Sequence, residues 1–118
     1  MNLTGRAIFQ KGQKPVKASP LRRAARNRAC TFRIPGVCNG NPETTVGAHL
    51  RMFCIAGAAM KPDDLFMVDA CSDCHAHQER YGVSAESLLG YEDVLRALIE
   101  TQSNRRAAGL IRLEGETT

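Results

Sequence analysis

The residues whose types and spacing could do chemistry are four cysteines, Cys30, Cys38, Cys71 and Cys74, with His75 directly after the last. The turn Cys71-Ser72-Asp73-Cys74 sets two thiolates at the spacing a tetrahedral zinc takes, and the upstream pair closes the site. The gap between Cys30 and Cys38 exceeds the roughly two to four residues common in zinc knuckles, and Pro35-Gly36 folds it back as a hairpin. Four-cysteine coordination leaves no open position, so this zinc is structural and not catalytic. It would also hold His75 on a rigid platform.

A second group consists of His49, His75 and Glu79. Residues 75 and 79 lie four apart, on one face of a helix, where an imidazole and a carboxylate can hold one divalent cation together. His77 is turned about 200° round the same helix and cannot join them. Arg51, two residues beyond His49 in an extended segment, shares its face and is placed to hold a phosphate.

The elements that must position these groups are short. Residues 1–19 scatter Gly5, Gly12 and Pro15 among basic side chains, and read as an extended arm. Leu21 to Arg28 reads as a short basic helix after Pro20. Thr31 to Ile34 suits a short strand, and Asn39-Gly40-Asn41-Pro42 a turn. A β-branched run from Thr44 leads through His49 to Met52, residues 55–62 form a small-residue loop, and Leu65 to Val68 is a short apolar stretch. A helix capped by Ser72 or Asp73 then carries Cys74 to Tyr81 and ends at Gly82. A longer helix capped by Ser84 presents Leu88, Tyr91, Leu95, Leu98 and Gln102 at helical spacing, reinforced by Val94 and Ile99.

At 118 residues the chain makes one domain, residues 20–118, behind the basic arm. Fifteen alanines and no Trp make for a weak apolar core, to which zinc would add about 10 kcal/mol of binding free energy expressed largely as folding. No run approaches the roughly 20 apolar residues of a membrane span, and the first residues lack a signal-peptide pattern. The expected compartment is therefore the cytoplasm, where thiols stay reduced, and Cys54 is the spare cysteine, a small buried hydrophobe. Residues 1–33 hold nine of the sixteen Lys and Arg and no acid. Such a block, here from Arg6 to Arg33, points to a polyanion partner, nucleic acid being the usual one.

The stretches CTFRIPGVCNGNPETTVGAHLR, KPDDL and CSDCH together resemble the small phage and prophage nuclease family typified by YbcO, of the HNH (ββα-metal, treble-clef) type. The likeness runs over roughly residues 20 to 82. It implies a small zinc-stapled α+β treble clef, here with a C-terminal helix. By position His49 matches the family's general base, His75 its metal-binding histidine and Glu79 its second helical ligand, while Asp64 resembles the middle Asn that orients the base. The residue before the base is commonly an Asp that ligates the metal; here it is Ala48, so further ligands must come from elsewhere in the protein, from water or from phosphate.

The resemblance thus implies an endonuclease of a bacterial cell carrying a phage or prophage, cutting DNA with Mg²⁺ or Mn²⁺ beside a structural zinc. The alternative is a catalytically silent zinc module that binds nucleic acid or a protein. Ala48 favours the silent module, and His49, His75 and Glu79 together favour the enzyme. A cysteine-based redox protein fits poorly, since Cys71-x-x-Cys74 comes with its own companion pair and no thioredoxin-like pattern.

Overall fold

The computed structural model describes residues 19–51 and 63–116. The basic arm up to residue 18, the small-residue loop and Cys54 lie outside the described residues.

Helix α1, Pro20–Arg23, is a single turn. Ser19 caps it, its hydroxyl accepting from Arg22 N at 3.2 Å, and Pro20 sits at the first position. The basic helix expected through Arg28 stops here: its first turn holds no acid to offset the clustered arginines, and Asn27 is left-handed (φ 60°). The strand expected at Thr31–Ile34 does not form. Arg33 is left-handed (φ 48°), which bends the chain, and its N–H turns to Cys30 Sγ at 3.5 Å. Phe32 and Ile34 still point into the core. The Pro35-Gly36 turn forms as expected, with Val37 N and Cys38 N both donating to Ile34 O (3.0 and 2.8 Å).

Asn41 then caps a 3₁₀ turn at Pro42–Thr44, leading into β1, Val46–His49. A second 3₁₀ turn, Asp64–Phe66, leads into β2, Met67–Ala70. The two strands pair antiparallel, Val46 opposite Ala70 and His49 opposite Met67. Helix α2, Ser72–Tyr81, follows, with Cys71 itself as its N-cap, in place of Ser72 or Asp73, and Gly82 ending it at φ 57°. Helix α3, Tyr91–Ala107, packs on β2. The core gathers Phe32, Ile34, Ala48, Leu50, Val68, Ala70, Leu89, Val94 and Ala97 around the cysteines. This is a small α+β domain. Among the described residues no helix is long and apolar enough to cross a membrane.

Helix α3 departs from its expected form in both start and face. It begins after Gly90, whose N–H donates to Asp93 Oδ2 at 2.9 Å. The stripe at helical spacing is largely outside: Tyr91 is 67% exposed and Leu95 57%. The buried positions are Val94, Ala97, Thr101 and Arg105. Two of these are polar because the helix packs over Asp69 of β2, which is fully buried. Arg105 grips that carboxylate with both Nη atoms (2.5 and 3.0 Å), Asn104 Nδ2 donates to it at 3.1 Å, and Thr101 Oγ1 accepts from Asp69 N at 3.1 Å. Arg105 Nε reaches Leu21 O at 3.0 Å, so one buried guanidinium ties α3, β2 and α1 together.

Candidate functional site

The four cysteines arrive from separate elements. Cys30 follows the α1 turn, Cys38 closes the Pro35-Gly36 hairpin, Cys71 caps α2 and Cys74 lies in its first turn. Their Sγ atoms all lie within 4.8 Å of one another. All four are free thiols, and Cys38 and Cys71 sulphurs stand 3.9 Å apart, far beyond a disulfide bond. Arg33 N and Cys74 N point at Cys30 and Cys71 sulphurs (3.5 and 3.4 Å), as amides do toward thiolates. Burial pushes the Cys71 thiol toward the neutral form, but amides of Asn39 and Cys74 and the neighbouring thiols bring it down to about 7. Burial and the neighbouring cysteines push Cys38 and Cys74 upward. So many thiols cannot ionise side by side without a cation among them. The donor set fits a metal ion, and among the described residues it is the one such cluster of Cys, His, Asp and Glu.

His49 ends β1, and Asp64 opens the 3₁₀ turn that feeds β2. Because Leu50 N bonds Phe66 O at 2.9 Å, the turn is drawn alongside the end of β1. His49 Nε2 lies 2.6 Å from Asp64 Oδ1. The other carboxylate oxygen accepts from Ser19 Oγ at 2.5 Å and stands 3.6 Å from Arg22 Nε. Partial burial works to raise the Asp64 pKa, but the hydrogen bonds from Ser19 and His49 and the charge of Arg22 hold it below its ordinary value. The ring of His49 is almost wholly buried, and its carbonyl accepts from Gln78 Nε2 of α2 at 3.1 Å.

His75 and Glu79 do share one face of α2, with Nε2 and Oε1 3.6 Å apart. Arg51 is there as well, but its partner is Glu79, held through both oxygens at 3.0 and 3.2 Å. The structure thus brings His49 together with Asp64, and Arg51 with Glu79 and His75, while Gln78 ties the helix that carries His75 and Glu79 to the His49 carbonyl. Ala48, fully buried in the core, offers no ligand. His77 faces away: its Nε2 accepts from Leu88 N at 3.1 Å, and its ring lies on Tyr81 at 4.8 Å.

Ser19 and Arg22 at Asp64 went unseen in the sequence. Ser19-Pro20 signals a helix start, but no local pattern relates it to a residue forty-five positions on. Part of the basic block also serves the fold: Arg33 makes a two-point ion pair with Glu100 (2.9 and 2.7 Å), while Arg23 and Arg26 are exposed.

Comparison with known proteins finds a match over residues 19–110 to the family described as "Putative nuclease YbcO". A protein of that description from Escherichia coli strain K12 is 46% identical over 82 residues, which is 70% of this chain and 85% of the relative. One from Enterobacteria phage 82 matches to the same extent. A solved structure described as a putative bacteriophage protein from Escherichia coli K-12 is 42% identical, with a TM-score of 0.58, covering 76% of this chain and all of that one.

Proposed function

Because the chain belongs to the YbcO nuclease family, we propose that it is an HNH-like, treble-clef endonuclease that hydrolyses DNA phosphodiester bonds in a bacterial cytoplasm. The observation that carries this reading is the contact of His49 Nε2 with Asp64 Oδ1 at 2.6 Å. A carboxylate on Nε2 keeps the proton there and leaves Nδ1 as the basic nitrogen. Nδ1 takes a proton from water as the oxygen attacks phosphorus, the bond to the 3′-oxygen breaks, and the leaving oxygen is protonated by solvent. Asp64 steadies the imidazolium that forms, as a buried carboxylate does in hydrolytic triads.

Arg51 is the phosphate-binding residue of this scheme. In the free protein it neutralises Glu79; a substrate phosphate offers it an equivalent partner, and Arg51 shifts to it, releasing Glu79. His75 and Glu79 then give one nitrogen and one oxygen donor, a set that fits Mg²⁺ or Mn²⁺ only with water or phosphate oxygens completing the shell. Such an ion, when bound, supplies positive charge to the non-bridging and leaving oxygens. The cysteine cluster is assigned zinc: a tetrahedron of Zn–S bonds near 2.3 Å needs sulphurs about 3.8 Å apart, a spacing matched by the 3.9 Å between Cys38 and Cys71. DNA is held through the basic residues from Arg6 to Arg33.

Supercoiled plasmid incubated with zinc-loaded protein and Mg²⁺ or Mn²⁺ should be nicked or linearised, and His49→Ala should abolish this. The Arg51–Glu79 pair and Ala48 favour a second reading, a silent zinc module that binds nucleic acid. Salt-sensitive DNA binding with no cleavage under any divalent cation would establish that reading and refute the first.

A further inference from the structure

We propose that Ser19, supported by Arg22, is a positioning residue for His49, acting through Asp64. The inference rests on His49 being the general base.

A carboxylate held by one oxygen can rotate about its Cβ–Cγ bond and present either oxygen, or neither, to an imidazole. Here each oxygen has its own assignment. Oδ1 faces His49 Nε2 at 2.6 Å, and Oδ2 accepts from Ser19 Oγ at 2.5 Å. A serine hydroxyl has one donor and two acceptor sites. Ser19 uses an acceptor to cap α1, taking Arg22 N at 3.2 Å, and its only proton goes to Asp64. Arg22 Nε lies 3.6 Å from Oδ2 and is buried without a hydrogen-bond partner, so it acts on Asp64 by charge.

Ser19 can do this only if α1 is held in place, and three features hold it. Arg105 Nε grips Leu21 O at 3.0 Å from inside the core. Pro20 presets the first helical φ. The third is packing of the turn on β1: a Cβ at Gly47 would stand at ordinary contact distance, 3.6 Å, from Arg22 Cα, its close contact being Met67 Sδ at 2.8 Å. A single helical turn, weak alone, is thereby fixed against the strand that ends in His49.

The test uses full-length protein with ¹⁵N-labelled histidine, reading the His49 tautomer from long-range ¹H–¹⁵N spectra and, separately, kcat and KM for plasmid nicking. The wild type should show protonated Nε2. Ser19→Ala should give a tautomer mixture and about a ten-fold lower kcat at unchanged KM, the scale of losing a second-tier orienting bond. Ser19→Thr should restore both. Ser19→Asp keeps a capping acceptor but has no proton to give, so it should fail as Ser19→Ala does; recovery with Asp would show that Ser19 is only a cap and overturn the proposal. An unchanged tautomer in Ser19→Ala would overturn it too. A wild type that cleaves nothing would refute the nuclease reading, while the tautomer spectra would still decide whether Ser19 orders the pair.

Discussion

Replacing Arg105 by Met should cost about 3–5 kcal/mol, the range for a buried ion pair that loses one partner. The structure supports the full range. Arg105 is 1% exposed and Asp69 0%, so neither charge can find water without opening the interface between α3 and β2. Arg105→Met strips both Nη contacts from Asp69 and the Nε contact from Leu21 O, leaving the carboxylate, among the described residues, with the side-chain amide of Asn104 as donor. Asp69→Val leaves a buried guanidinium and should cost a similar amount. The double variant Asp69→Val with Arg105→Met should recover most of the loss, ending within about 1–2 kcal/mol of wild type, because an apolar pair of like volume carries no desolvation penalty. Urea unfolding of metal-loaded protein would read this directly. With an m-value near 1.5 kcal/mol/M, each single change should lower the midpoint by about 2–3 M. Single variants costing under about 1 kcal/mol, or a double variant as unstable as the two singles summed, would show that the pair does not carry α3 onto the sheet.

Other outcomes follow from the same geometry. Elemental analysis should find one zinc per chain, and Cys74→Ser should lose it and unfold at lower urea, whereas a stable fold free of metal would remove the staple from the account. Glu79→Ala should abolish divalent-dependent cleavage while leaving zinc and DNA binding intact; His77→Ala should spare cleavage but cost about 1 kcal/mol in urea unfolding, since Leu88 N loses its acceptor. Asp64 is held below its ordinary pKa, so its contribution is full at neutral pH and lost as pH falls through the lowered value. Asp64→Asn should therefore flatten the acid limb of stability below about pH 4, seen in melts across pH. Deleting residues 1–18 removes Arg6, Lys11, Lys14 and Lys17 and should make the slope of log K against log salt shallower by up to about 3–4; an unchanged slope would mean the arm does not touch the phosphates.

The cysteine cluster was legible because Cys-x-x-Cys is a local signal and the Pro-Gly turn explains how a distant pair returns. The helix after Cys71, its end at Gly82 and the His75–Glu79 face were legible for the same reason: each depends on residues within one or two turns. The α3 face was not. Apolar periodicity names Leu88, Tyr91 and Leu95 beside Val94, of which Val94 is buried, yet the helix also turns Thr101 and Arg105 inward to meet Asp69 on a strand thirty-two and thirty-six positions away. Nothing within a helical window announces a buried carboxylate on another element. The lost strand at Thr31–Ile34 has a related cause: β-branched and aromatic residues favour extension, but the chain bends to bring Arg33 N onto Cys30 sulphur.

Arg51 shows how far position alone can carry a role. Its place after His49 made it a phosphate ligand, and Glu79's place after His75 made it a cation ligand, each judged alone. The structure pairs them with each other. Both side chains are well exposed, so the pair is worth about 1 kcal/mol or less in water and opens readily. That weakness is what makes the pair compatible with both proposed roles. On the proposed reading, a phosphodiester arriving beside His49 would give Arg51 a monoanionic partner equivalent to the carboxylate and would uncover Glu79 next to His75, so that the anion and the cation are drawn in together. Neither Arg51 nor Glu79 would then be fully engaged by its target in the absence of substrate, and divalent cations alone should bind this face weakly while binding more tightly once DNA is present.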